Sequence, residues 1–212
     1  MTARPDEASP SSPGVVTAGP SERGAIADAL SDAFFDDPVW AWVLPDEGSR
    51  RRRLAGLFAV LLRGHYEALG GVFTTPEHAG ASLWAPPGKA VVPVTTVLRY
   101  APWLGRALGR RSLVALRALT RVEHEHPTEP HWYLGVLGTR TASQGKGIGS
   151  ALLEPVLRRC DDEGIPAYLE SSKERNIPFY RRHGFEVTGE IELAPGAPVV
   201  WSMWRDPRPP EG

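Results

Sequence analysis

Seven residues, Gln144-Gly145-Lys146-Gly147-Ile148-Gly149-Ser150, constrain this chain more than any other stretch. They lie between a strand-like segment, His131 to Leu137 with a loop from Gly138, and a helix-like one that runs from Gly147 to about Glu163 before Gly164. Glycines at such a junction let the main chain turn tightly and aim several backbone N–H groups at one point. The start of the helix adds roughly half a positive charge to those donors, an arrangement that holds pyrophosphate. Lys146 supplies a further point charge. Glycine-rich helix entries also serve packing alone, so the loop has to be weighed against its neighbours in the chain.

Two familiar phosphate loops fit less well. A nucleotide-triphosphate loop needs G-x-x-x-x-G-K-[ST], but Arg140 stands five residues before Gly145 and Gly147 follows Lys146. The dinucleotide fingerprint comes closer, through Gly145-x-Gly147-x-x-Ser150 and an acid, Glu170, at the end of the next strand. Only about 40 residues follow Glu170, too few for the further parallel units of such a domain.

The surrounding pattern alternates strands and helices. Val15 to Thr17 is a candidate edge strand, and a helix is expected over 21–35, where Ile26, Leu30, Ala33 and Phe34 recur at helical spacing. A longer helix is expected over 46–69, strands over 72–75 and 81–84, and two helical pieces over 93–123, broken near Pro102 and Gly109. In the last of these Leu113, Leu116 and Thr120 are expected inward, with Arg110, Arg117 and Arg121 outward. The run Arg50 to Arg53 reads as a solvated helical face. Pro166 to Glu170, Phe185 to Leu193 and Val199 to Trp204 read as strands, with a short helix over 174–183. The expected organisation is a mostly disordered tail over 1–20, one domain over 21–205 and a second tail over 206–212.

Composition narrows the function. Lys+Arg at 24 against Asp+Glu at 25 leave a net charge of −1, which offers no field to hold nucleic acid or an anionic membrane. Cys160, alone, forms no internal disulfide and no multi-thiolate metal site, and on its helix it shares a face with Leu153, Val156 and Leu157, as a core hydrophobe would. His124-x-His126 lacks the partners of a metal site and reads as surface histidines, so no metal is expected. No segment is apolar enough for a signal peptide or membrane span, and a cytoplasmic location is expected.

Gln144, Gly147 and Gly149 match [QR]-x-x-G-x-[GA], and Asn176-Ile177-Pro178-Phe179-Tyr180 with Gly184-Phe185 matches N-x-x-F-Y followed by G-F. In both motifs the chain resembles the GCN5-related N-acetyltransferase (GNAT) family. From Glu129 to Trp204 it is similar to the puromycin N-acetyltransferase group within it, through Glu129-Pro130-x-Trp132-x-Leu134 and Pro166-Ala167-x-Leu169-Glu170. Thr141-Ala142-Ser143 departs from the proline-led turn usual in relatives. The resemblance implies an α/β fold with a mixed, mostly antiparallel central sheet, flanked by helices, whose parallel fourth and fifth strands splay apart. It implies acetyl-CoA as co-substrate, held by the backbone of Leu137, Gly138 and Thr139, by Gln144, Gly145, Lys146, Gly147, Ile148, Gly149 and Ser150, and by Asn176, with the cofactor half over about 129–205. An N–H near Leu137 would hold the developing oxyanion, and Tyr180 would protonate the departing thiolate. An acceptor amine of pKa ~10 is about one part in a thousand neutral at pH 7, so a base is needed. Glu170 ranks first for that role, ahead of Glu123, His124, His126 and His131. The acceptor is expected to be a small-molecule amine, met by Phe34, Phe35, Asp36, Asp37, Trp40, Trp42, Tyr66 and Trp84. A non-enzymatic acyl-CoA sensor with the same loop and no working base is the other reading.

Overall fold

Burial alternates along Trp132–Thr139, every second residue packed and the next half covered, which is how a central strand with helices on both faces reads. A computed structural model describes residues 14–208, and places that strand, β4, in the middle of a seven-stranded sheet. The expected tails at 1–13 and 209–212 lie outside the described residues. The other strands are β1 (Val16–Thr17), β2 (Val72–Thr74), β3 (Gly80–Ala85), β5 (Ala167–Ser171), β6 (Glu186–Glu192) and β7 (Val199–Arg205). Their order is β1-β2-β3-β4-β5-β7-β6, antiparallel throughout except for the parallel pair β4 and β5.

Helices cover both faces. On one face, Ile26 and Leu30 of α1 (Arg23–Ala33) and Leu54 and Phe58 of α3 (Glu47–Leu61) pack on Leu83 and Val136. On the other, Leu153 and Val156 of α7 (Ile148–Glu163) pack on Trp84, Leu134 and Leu169. Cys160 belongs to this second core, and burial pushes its thiol up to about 12, so it is a small hydrophobe there. Pro155 lies inside α7 without ending it. The closing α8 (Ile177–Arg182) follows a short 3-10 turn over Glu174–Asn176. Among the described residues no helix is long and apolar enough to cross a membrane.

Four sequence expectations are corrected. The arginine run is not uniformly solvated: Arg50 is buried, and its guanidinium donates to the carbonyls of Leu44 (2.7 Å), Phe35 (3.2 Å) and Pro45 (3.1 Å), tying down the chain after α2 (Pro38–Val43). Pro102 does not break its helix, since α5 (Val94–Leu108) runs through it and the break comes at Gly109–Arg111. On α6 (Ser112–Glu125) the expected inward face is outward: Leu113 is 66% and Leu116 56% exposed, and Thr120 is exposed too. The helix instead packs through Ala115, Ala118 and Val122, because small side chains let it approach its neighbours closely. Finally, the long helix over 46–69 is interrupted by a π-helical turn, Leu62–Tyr66, before α4 (Glu67–Leu69). That turn shifts the register and carries Tyr66 toward the sheet, where its hydroxyl sits against Gly135.

Candidate active site

The site begins where two parallel strands stop pairing. β4 and β5 are joined at Trp132/Ala167, Tyr133/Tyr168 and Leu134/Leu169 only. Past that point β4 stays with β3 as far as Thr139, and β5 stays with β7 as far as Ser171. Each strand continues without the other, so a wedge opens between them. Its cause is local: Leu83 faces Val136 while the next residue, Trp84, faces Leu134, so Gly135 is an extra residue on β4, a bulge that bends and twists the strand. A Cβ at Gly135 would overlap the Tyr66 hydroxyl, so any larger residue there would force the buried Tyr66 to move.

The wedge is a cleft of about 580 Å³. Leu137, Gly138 and Thr139 line it along β4, with Gln144, Gly145 and Gly147 to Ser150 at the glycine turn and Glu170, Asn176 and Tyr180 beyond. Gly145 and Gly147 hold φ of 76° and 78°, the left-handed region that costs other residues about 1–2 kcal/mol. Gly147 is the N-cap of α7 and makes no side-chain cap, so the first-turn N–H groups of a 16-residue helix stay available beside the cleft. Gln144 Nε2 donates to the Thr139 carbonyl at 3.3 Å, and Ser150 Oγ lies 3.0 Å from His183 Nε2. Lys146 departs from expectation. It does not line the cleft; its Nζ donates to Ala142 O at 3.0 Å across its own loop. The positive charge at the cleft comes from Lys173, Arg175 and Arg182, which the sequence reading passed over although two of them flank the Asn-x-x-F-Y motif. An uncapped helix start, two left-handed glycines and a strand edge without a partner suit the expected co-substrate, an anionic diphosphate with an extended amide-bearing arm.

Two acids reach the cleft, Asp37 and Glu170. Burial raises the Asp37 carboxyl above its usual value, against hydrogen bonds from the Ser172 hydroxyl and two backbone N–H groups. Its Oδ1 caps α2, accepting from Val39 N (3.0 Å) and Trp40 N (3.2 Å), and its Oδ2 accepts from Ser172. Asp37 is thus fully engaged in structure. Glu170 is not. Its side chain is 8% exposed; Oε2 accepts from Tyr133 Oη at 2.8 Å, and the buried Oε1 has no hydrogen bond. His126 Nδ1 lies 3.5 Å from that oxygen. His126 was expected at the surface with His124; only His124 is exposed, because the chain turns after α6 and folds His126 in beside His131. Tyr180 is buried, and burial, then the Asp37 charge, pushes its hydroxyl well above the ordinary phenol value. The aromatic walls expected from the sequence divide: Phe34 lines the cleft, Trp84 is wholly buried in the α7 core, and Trp40 packs on Phe58.

The comparisons with known proteins agree with this geometry. A family model described as Acetyltransferase (GNAT) family matches residues 98–185. An uncharacterized N-acetyltransferase of Schizosaccharomyces pombe is 32% identical over 178 residues, 79% of this chain and 72% of the relative. A mycothiol acetyltransferase of Propionibacterium freudenreichii is 35% identical over 74 residues, 33% of this chain and 24% of its own. Among solved structures, one described as histone acetyltransferase HPA2 and related acetyltransferase from Corynebacterium glutamicum superposes with a TM-score of 0.72 at 28% identity, covering 95% of this chain and 99% of that one.

Proposed function

The chain belongs to the GNAT family of N-acetyltransferases, and from that premise we propose that it moves acetyl from acetyl-CoA directly to the amine of a small molecule. The observation that carries this reading is the wedge between β4 and β5, with Glu170 and Tyr180 both reaching it and the uncapped start of α7 at its end. Acetyl-CoA, when bound, supplies an acetyl group activated as a thioester. The first-turn N–H groups of α7 hold its diphosphate with Gln144, Gly145 and Gly147 to Ser150, and Asn176 binds it further along. The free edge of β4 at Leu137, Gly138 and Thr139 pairs with the extended arm, and an N–H near Leu137 stabilises charge that develops on the acetyl oxygen. Glu170 takes a proton from the acceptor ammonium. Tyr180 gives one to the departing sulfur; its raised value keeps the hydroxyl protonated until then.

Recession of Glu170 supports a small acceptor. With 8% of the side chain exposed, the amine has to enter a recess, which suits a free molecule better than a short side chain on a folded surface. The co-substrate and the lone free cysteine, Cys160, support a cytoplasmic location. The test is amine-dependent release of free CoA thiol across puromycin, aminoglycosides, polyamines, amino acids and a lysine peptide. Cys160 adds little background, being buried with a thiol near 12. Turnover on a small amine supports the proposal; turnover on the peptide alone overturns the acceptor class, and acetyl-CoA binding with no turnover on any amine overturns the transfer.

A further inference from the structure

Behind Glu170 stands a chain of groups to which the steps above give no task. His131 Nδ1 lies 2.6 Å from the backbone carbonyl of Glu129. A carbonyl only accepts, so Nδ1 carries the hydrogen. Burial holds the His131 imidazole below its ordinary value, so the ring is neutral near pH 7 and its Nε2 is a bare lone pair. That lone pair meets His126 Nε2 at 3.1 Å, which requires the hydrogen there to sit on His126. The remaining nitrogen, His126 Nδ1, lies 3.5 Å from Glu170 Oε1. With its one ring hydrogen at Nε2, His126 turns the Nδ1 lone pair toward a carboxylate oxygen, and neither of these two atoms is a donor. Oε1 is accordingly the buried oxygen that lacks a hydrogen bond, while Oε2 is occupied by Tyr133. One added proton, placed between Nδ1 and Oε1, satisfies both atoms.

We propose that Glu170 and His126 act as a single proton-accepting pair, with His131 as the positioning residue that fixes the His126 tautomer. This rests on the reading of Glu170 as the base and names what completes it. The acceptor ammonium breaks one N–H bond and its proton is bound between Oε1 and Nδ1, turning an anionic pair into a neutral one. The freed amine lone pair forms the new C–N bond as the C–S bond breaks. A second proton, shed by that nitrogen, replaces the one Tyr180 gives to sulfur. The first leaves to water from His126, whose side chain is 14% exposed while Glu170 is 8%. The cage is specific about orientation: the His126 ring stands edge-on to Tyr133 at 4.9 Å and to Tyr168 at 5.0 Å. Of the other titratable groups around it, Tyr66 from the π-helical turn faces Glu170, Glu129 from the loop before β4 faces His131, and Glu125 from the end of α6 faces Tyr168.

The test compares pH profiles of kcat and kcat/KM for the full chain and four variants, with acetyl-CoA affinity measured for each. Glu170→Gln should lose about 10²-fold or more in kcat together with the acid limb. His126→Ala should lose roughly tenfold or more in kcat, with the acid limb moved to lower pH because a lone carboxylate holds a proton less tightly than the pair, and added imidazole should restore part of the rate. His131→Phe should lower kcat, and His131→Gln, whose amide oxygen still accepts from His126 Nε2–H, should retain more of it. Acetyl-CoA affinity should stay within about twofold throughout, since none of the four touches the diphosphate turn. If Glu170→Gln is crippled while His126→Ala keeps the parental profile, or if its loss is not restored by imidazole, the pair is overturned and Glu170 remains the sole base. If Glu170→Gln turns over normally, the base assignment itself falls.

Discussion

Tyr180 and Glu170 share one cleft but meet different surroundings, so single substitutions should separate their tasks. Tyr180→Phe removes one hydroxyl from a site that is already buried, and should cut kcat by about 10²-fold while leaving the acetyl-CoA Kd within about twofold. Calorimetric binding beside the thiol assay checks this; an unchanged kcat would return Tyr180 to a packing role. Gly147→Ala forces a Cβ into a φ of 78°, a strain of about 1–2 kcal/mol that should weaken acetyl-CoA binding about tenfold if the turn yields to relieve it. Binding of unchanged strength would sever the turn from the diphosphate. At this scale the glycine turn and the Asn176 to Tyr180 motif were legible in the sequence, because each is a local pattern whose spacing already places it at an element boundary. His126 was named only behind Glu170 as a base and otherwise as a surface histidine, since its place beside Glu170 depends on a contact with a strand far along the chain.

Elements show the same division. Helical periodicity over 112–125 is plain, yet α6 carries two usable stripes, and it is the small one, with Ala118 only 7% exposed, that seats. Replacing Leu113, Leu116 and Leu119 together with Gln should therefore change unfolding free energy by less than about 1 kcal/mol. Ala118→Leu should cost about 1–3 kcal/mol through overpacking. Urea unfolding of both decides it, and the reverse ranking would restore the leucines to the inside. In the arginine run of α3, Arg50→Met leaves three carbonyls without a donor and should cost roughly 2–4 kcal/mol, whereas exposed Arg52→Met should stay within about 0.5 kcal/mol. Equal midpoints for the two would contradict the buried fork. Four adjacent arginines look alike in sequence; the chain after α2, returning over one of them, makes that one different.

For the whole molecule, charge and ligand act on stability in opposite directions. Burial holds the imidazoles of His65, His131 and His183 below their ordinary value. Below about pH 6.5 the unfolded chain then binds more protons than the folded one, so stability present above that pH is lost as pH falls toward the folded values. Melting between pH 7.5 and 5.5 measures it, and a flat curve would mean these rings are not held neutral. Acetyl-CoA at 100 times its Kd should add about 2.7 kcal/mol, or roughly 5–10 °C in Tm for a chain of this size. The sequence alone determined the succession of strands and helices around the glycine turn and the second motif after it, because hydrophobic period, turn residues and helix starts are properties of neighbours along the chain. Only the tertiary structure decided that β4 bulges at Gly135 against Tyr66, that β5 parts from it after Leu169, and that His126 comes to face Glu170. Each of these is a contact between residues dozens of positions apart. Strand registers, the π-helical turn and side-chain burial set such contacts together, and no local pattern records them.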